Sequence, residues 1–312
     1  MILPVPGSSR LVAFCVAAML MLQTTSAIAP KILILGGTGF IGATVSRIAI
    51  ESGFQVTSLS RRGAPSTETK GTNPTATTAG VTFLEGDATD PEFLQRVIKE
   101  GNYDGVVHAV GMLFASSLNR FASGSGSVPG PGTTYDKITR QTAFAAAAAL
   151  NDLAAGGGPQ RPFVFISAAE AKWSFDGVFA GTPVAWLHDY LVAKRAAEDE
   201  ILNNKPSLRG IVLRPSLVWT MKRPGALLPV AAFQIGSRLG LPFIDRPVNV
   251  ETLASAAVAG LMGQNVRGVQ DWKKMEELSS KYKSNKGSWS VDDWPKQKNV
   301  NIPSQKAEGG EL

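Results

Sequence analysis

The chain has a single cysteine, Cys15, close to its N-terminus. No intrachain disulfide and no cysteine-based zinc site can be built from it. Histidine is nearly as scarce: His108 and His188 are the two, too few for a histidine-rich metal cluster. No metal is therefore expected. Acidic residues are missing from the start of the chain, the first being Glu51. Basic residues form no run interleaved with aromatics, although the net charge is +6 and the pI about 9.4. That balance suits an anionic ligand or a membrane surface and leaves no footprint for nucleic acid.

What is present is an ordinary globular composition. The 312 residues are 44% hydrophobic and 18% charged, enough for a large core and one or two domains. Residues 1–29 read as a targeting segment. Arg10 precedes an apolar run from Leu11 to Leu22, and Thr25 and Ala27 supply the small residues a signal peptidase reads. The run is too short for a comfortable membrane span. The lack of acid before Glu51 also suits an organelle transit peptide.

The chain is organised around Lys31 to Gly42. Ile32 to Leu35 is a short apolar run that predicts a strand buried on both faces. Gly36, Gly37, Gly39 and Gly42 follow, with Thr38, Phe40 and Ile41 between them, and the residues from Phe40 suit a helix. A helix N-terminus leaves unpaired N–H groups and a partial positive charge. Glycine lets a diphosphate approach the backbone and lets the helix lie against the sheet. The spacing is Gly-x-x-Gly-x-x-Gly. Its place between a strand and a helix makes it a dinucleotide-binding signal.

A second strand, Gln55 to Ser60, ends in Ser60-Arg61-Arg62. A carboxylate there would take ribose hydroxyls, whereas a guanidinium fork binds a ribose phosphate. NADP(H) is therefore favoured over NAD(H). A third strand, Val81 to Leu84, leads to Asp87, a candidate for the adenine amino group, while Asp90 before Pro91 reads as a helix cap. A fourth strand, Gly105 to Val110, would lay Ala109, Val110 and Gly111 along the cofactor. His108 reads either as a packed strand residue or as a catalytic group.

An alanine-rich helix is predicted from Tyr135 to Leu153, and a fifth strand ends at Ser167. The aromatics between Lys172 and His188 suit a lid or ordinary packing. Tyr190 and Lys194 stand one turn apart on a predicted helix. An ammonium beside a phenol lowers the phenol's pKa, which makes Tyr190 a candidate proton donor for carbonyl reduction. Gly210 to Leu213 is a sixth strand, ending at Arg214-Pro215. Residues 224–242 are apolar and suit a substrate-pocket wall, a membrane contact or ordinary core, of which core is favoured. The chain turns lysine-rich after Asp271 and reads as a disordered polar tail after about Lys283.

With these marks the sequence resembles an atypical short-chain dehydrogenase/reductase of the extended type. The matching residues are Gly36–Gly42, Gly86-Asp87, Val107–Gly111, Tyr190-x-x-x-Lys194 and Leu213-Arg-Pro215. Val107–Leu113, Thr134–Lys137 and Phe165–Ala168 are similar to the group holding the complex I nucleotide-binding accessory subunit and a fungal dehydrogenase-like protein of coenzyme Q biosynthesis. Plant plastid relatives look similar too.

The resemblance implies an α/β fold: a Rossmann-type, doubly wound parallel sheet with a small C-terminal substrate or lid region. It places the nucleotide-binding domain in 30–262, with substrate contacts mainly in 171–189 and 216–250, and a C-terminal helix and tail in 263–312. It assigns Tyr190 and Lys194 as the catalytic pair, with Lys194 also at the nicotinamide ribose and Pro215 beside the cofactor. The family's serine usually stands one position beyond Ser167, where this chain has Ala168; Ser167 is the remaining candidate. It further implies an NAD(P)-dependent oxidoreductase linked to ubiquinone-type metabolism, with a prenylquinone-like substrate and an organelle membrane complex as partners. The mitochondrion is the implied compartment, with the plastid or secretory pathway as alternatives. A non-catalytic nucleotide-binding accessory protein and an NAD(P)-dependent epimerase or dehydratase remain open.

Overall fold

The computed structural model describes residues 29–64, 80–112, 130, 132–173, 186–222, 227–240, 244–285 and 294. The expected targeting segment up to residue 28, Leu113, most of the aromatic loop before Trp186 and nearly all of the C-terminal tail lie outside them.

The described chain opens with β1 (Lys31–Leu35), α1 (Phe40–Glu51), β2 (Gln55–Ser60) and β3 (Val81–Glu85). Next come α2 (Pro91–Gly101), β4 (Gly105–His108), α3 (Thr142–Ala154) and β5 (Arg161–Ile166). The second half holds α4 (Trp186–Asn203), β6 (Leu208–Leu213), β7 (Val218–Trp219) and α5 (Leu227–Arg238). It closes with β8 (Val248–Asn249), α6 (Val250–Met262), β9 (Gly268–Gln270) and α7 (Trp272–Ser284). Seven strands form one sheet in the order β3-β2-β1-β4-β5-β6-β9, and every pairing is parallel. β7 and β8 make a separate parallel pair. This is the expected Rossmann-type, doubly wound sheet.

Both faces of the sheet are covered, so its strands carry apolar residues at consecutive positions. Ile32, Ile34, Val107, Val164 and Ile211 pack with Val45 and Ile48 of α1, Leu253 and Ala257 of α6, and Met275 of α7. Leu33, Leu35, Val106, Phe163 and Val212 face the other way, onto Leu94 of α2, Ala146 and Leu150 of α3, and Ile201 of α4. The alanines of α3 let that helix lie close to the sheet.

Four local features depart from the sequence expectation. β4 stops at His108, two residues early, because the chain turns off the sheet at Ala109. The helix predicted from Tyr135 begins as a π-helical turn, Asp136–Gln141, and becomes regular only at Thr142. The stretch 224–242 was expected in the core, yet on α5 and just after it Ile235 is 59% and Leu239 is 71% exposed. Finally, Trp294 sits within the expected tail, and its ring packs edge-on against Phe54 at 5.3 Å.

Candidate nucleotide and catalytic site

β1 pairs with β2 on one side and β4 on the other, so the strand order reverses between β1 and β4. A crevice opens at that point, outside the carboxyl ends of the strands. Gly36 turns the chain with φ of +78°, and a Cβ there would lie 3.1 Å from the Ala109 carbonyl oxygen. Gly42, in the first turn of α1, lies so close that a Cβ would fall 2.2 Å from the Gly36 oxygen. A Cβ on Gly37 would meet the Ser58 hydroxyl at the same distance. The bare backbone is therefore required for α1 to sit down on the turn.

Thr38, Gly39, Phe40 and Ile41 are partly exposed at the mouth of this turn. Gly39 is the cap residue of α1, with no side-chain acceptor, and no acid stands in the first turn. A turn of this shape fits a diphosphate: its backbone amides meet the anion, and no carboxylate opposes it.

The other predicted cofactor residues stand at or just beyond the carboxyl ends of the neighbouring strands. Ser60 donates its hydroxyl to the Gly63 carbonyl at 2.9 Å and so fixes the turn that carries Arg61 and Arg62. Both arginines are exposed, and among the described residues neither makes an ion pair. The Asp87 carboxylate accepts from the Thr89 amide at 2.9 Å, an Asx turn that leaves its second oxygen to solvent. Asp90 caps α2 as expected, accepting from the amides of Glu92 and Phe93. Ala109 donates its N–H to the Leu35 carbonyl, which ties the end of β4 to the glycine turn. Ala109 and Val110 are partly exposed, and Gly111 is open to solvent. Pro215 is buried, its carbonyl holding the Ala169 amide at 2.8 Å.

Lys194 is buried at the floor of the crevice. Its ammonium donates to the Ile166 carbonyl at 2.7 Å and lies over the rings of Phe165 and Tyr190. A Cβ on Gly111 would be 3.8 Å from Nζ. The structure thus brings Lys194, Tyr190 and the end of β4 together. Desolvation lowers the Lys194 pKa to about 8, partly opposed by Glu198 one turn on. The Tyr190 phenol is pushed up, by desolvation first, then by the charge of Glu170 and by Tyr135. Its ring packs edge-on against Tyr135 at 5.8 Å and near Trp186 at 6.3 Å. The π-helical turn sets this pocket wall, and it also brings the Thr142 hydroxyl to His108.

His108 is fully buried. Its Nε2 bonds to Thr142 Oγ1 at 2.7 Å, and that hydroxyl lies 2.6 Å from the Ile138 carbonyl, which can only accept. Burial and the nearby Lys194 drop the His108 pKa to about 3, so the ring stays neutral. It behaves as a packed strand residue.

Ser167 is engaged elsewhere: its hydroxyl donates to Glu198, which Arg214 also clamps, through Nε at 2.9 Å and through Nη2. At the family's usual serine position, the Ala168 methyl is buried in an apolar cluster with Leu191 and Tyr190. Three residues of this site escaped the sequence. Glu198 and Glu170 carry no motif of their own, and Arg214, although part of the Leu213-Arg-Pro215 match, carried no sign of its pairing with Glu198. The i, i+4 spacing of Lys194 and Glu198 was the one signal available. The Glu170 carboxyl is itself raised, by burial first and then by Asp245 among the nearby charges.

A family model described as NAD(P)H-binding matches residues 36–262. The chain is 24% identical over 273 residues to an uncharacterized chloroplastic protein of Arabidopsis thaliana, covering 81% of this chain and 79% of that one. It is 27% identical over 221 residues to MIOREX complex component 2 of Saccharomyces cerevisiae, covering 62% and 74%. Among solved structures, the UDP-Glc/GlcNAc 4-epimerase of Campylobacter jejuni superposes with a TM-score of 0.52 at 18% identity, over 80% of this chain and 82% of that one. The fold is thus that of an NAD(P)H-binding domain, shared with the epimerase structure.

Proposed function

Since the chain belongs to the NAD(P)H-binding family, we propose that it is an NADP(H)-dependent oxidoreductase acting on a carbonyl or prenylquinone-like substrate in an organelle. The observation that carries this reading is the junction of the glycine turn, the end of β4, the buried Lys194 and the half-buried Tyr190 beside it at one switch point. Bound NADPH would supply hydride. The turn from Gly36 to Gly42 would hold its diphosphate, and Arg61 and Arg62 the ribose phosphate. Asp87 would meet the adenine edge, and Lys194 the nicotinamide ribose.

Against the expectation that Lys194 would lower it, the surroundings push the Tyr190 pKa up, by burial first and then by Glu170 and Tyr135, so the phenol keeps a proton to donate but is a weaker acid than a lysine-activated one. A neutral phenol is the form a general acid needs when a carbonyl oxygen gains charge. The Tyr135, Trp186 and Tyr190 rings form an apolar wall suited to a flat or prenylated ring. The chloroplastic relative and the MIOREX relative support an organelle setting; an organelle membrane complex as partner is part of the proposal.

The test is turnover with bound nucleotide. Tyr190→Phe should retain NADPH binding and lose NADPH oxidation by a panel of short-chain quinones and aldehydes by about two orders of magnitude or more. Unchanged turnover would defeat the catalytic assignment. NADPH should also bind at least about tenfold more tightly than NADH, a gap of about 1.4 kcal/mol. Equal affinity would remove the role of Arg61 and Arg62.

A second reading is a nucleotide-binding accessory protein without turnover. Ala168 and the engagement of Ser167 by Glu198 favour it. In that case NADPH would raise the melting temperature by mass action, and no substrate in the panel would oxidise it.

A further inference from the structure

The crevice described so far lies at the carboxyl ends of the strands. A cavity of about 130 Å³ opens at the opposite end, where β4, β5 and β6 begin, lined by Asp104, Arg161, Arg209, Gln264, Arg267 and Trp294 among others. We propose that this cavity is a second ligand site, built for a small oxyanion of the phosphate class.

The charges around it do not balance. Asp104 supplies the carboxylate; it accepts the Lys31 amide at 2.8 Å and sits in the field of Arg161. Arg209 is 7% exposed and gives its Nη hydrogens to the carbonyls of Gly260, Leu261, Gly263 and Val266, at 2.7 to 2.9 Å. These acceptors carry partial charge and leave the net charge of the guanidinium uncancelled. Arg267 stands near enough to act on Arg209 as a like charge. Among the described residues no carboxylate pairs with either of them. Three guanidiniums, Arg161, Arg209 and Arg267, thus share one hollow with a single carboxylate, Asp104, which acts on Arg161.

An oxyanion would correct that. Gln264 and Arg267 are exposed at the rim and offer N–H donors, and Arg209 has Nε and one Nη2 hydrogen to spare. Trp294, held against Phe54, makes an apolar wall that excludes water and strengthens the attraction. Size selects the guest. At about 130 Å³ the hollow has room for a tetrahedral oxyanion with its waters and not for a whole dinucleotide. The site is therefore independent of the cofactor crevice. It is also coupled to the fold, because Arg209 holds the last carbonyls of α6, a helix packed across the sheet.

The experiment uses the full chain at constant ionic strength, with inorganic phosphate as the probe. Phosphate and sulfate should raise the melting temperature saturably, and acetate at equal ionic strength should not. The rise should persist when NADPH is saturating. Arg267→Ala should weaken phosphate by about tenfold or more while leaving NADPH affinity unchanged. Arg267→Glu should abolish the response and raise the melting temperature without phosphate, since the carboxylate supplies the missing charge from within. Circular dichroism of both variants checks folding, and either variant alone decides the matter because Arg267 is exposed. Three results would each overturn the site: no saturable response, a response that both variants retain, or one that NADPH eliminates by competition at the glycine turn.

Discussion

The two ends of the central sheet treat buried positive charge in opposite ways. At the amino ends of the strands, Arg209 bonds to four carbonyls. At the carboxyl ends, the Lys194 ammonium has one backbone acceptor, Ile166, with aromatic rings around it. A cation surrounded by fixed acceptors holds architecture together. A cation given one acceptor of the three its protons could use is kept ready for a ligand. The same contrast holds for the backbone: α6 ends on arginine-bound carbonyls, whereas α1 begins on an uncapped glycine. The two ends thus differ in how the buried cation is tied to the backbone: four carbonyls fix Arg209 in the fold and leave its net charge to an anion, whereas Lys194 keeps most of its donors free at the cofactor crevice.

The comparison breaks hardest at the glycine turn. Gly42→Val places side-chain atoms where the Gly36 oxygen already lies, so α1 must move off the sheet. The expected cost is more than about 4 kcal/mol, together with loss of nucleotide binding, read by chemical denaturation and NADPH titration. A variant that folds and binds as before would show that the close packing is dispensable.

At the opposite end, Arg209→Met should cost about 2–4 kcal/mol, because the carbonyls of α6 lose their donors. NADPH affinity should not change. Should affinity fall with stability, the division between the two ends would be false.

Lys194→Met tests the contrast with the sign reversed. The folded Lys194 pKa is lowered to about 8 from the ordinary 10.5. Below about pH 8 the lysine is charged in both states, and the full cost of burying that charge opposes folding. Between pH 8 and 10.5 the folded protein releases its proton first, and stability rises with pH. Above that range both states are neutral and the cost is gone. Lys194→Met should therefore be up to about 1–3 kcal/mol more stable than the parent at pH 7, with the advantage shrinking as pH passes 8, while nucleotide binding weakens. Denaturation curves across pH measure it; a less stable variant at pH 7 would mean the ammonium is a structural group after all.

These variants follow the line between what the sequence disclosed and what it hid. The glycine turn was readable because strand, glycines and helix are contiguous, and each signals through its own backbone requirement. Asp90-Pro91 was readable for the same local reason. The doubly wound parallel sheet followed from alternating βα units. β9 and the β7–β8 pair were hidden because two or three residues carry no periodicity. The Ser167–Glu198–Arg214 network was hidden because its members come from three elements and meet only after folding. Ile235 and Leu239 misled outright: an apolar stretch reads as core, and sequence cannot report that no neighbour covers it. The arginine cavity draws its lining from Asp104 to Trp294, and no window along the chain contains it.

The smallest effect separates two aspartates three positions apart. Asp90 accepts two amides at the start of α2, and Asp87 accepts one amide and faces solvent with its other oxygen. Asp90→Ala should cost about 1 kcal/mol of stability through loss of the cap and leave NADPH affinity alone. Asp87→Asn keeps an acceptor for the Thr89 amide, so stability should hardly change. If Asp87 meets the adenine amino group, the neutral amide weakens that bond, and NADPH affinity should fall by a few-fold, in line with one charged hydrogen bond made weaker rather than lost. The pair is read by two measurements on the same samples, thermal melting and nucleotide titration. A matched loss of affinity in both variants would assign the effect to the loop as a whole. A loss confined to Asp87→Asn would place the ligand contact on that one carboxylate, at the end of the sheet where polar groups are held unsaturated.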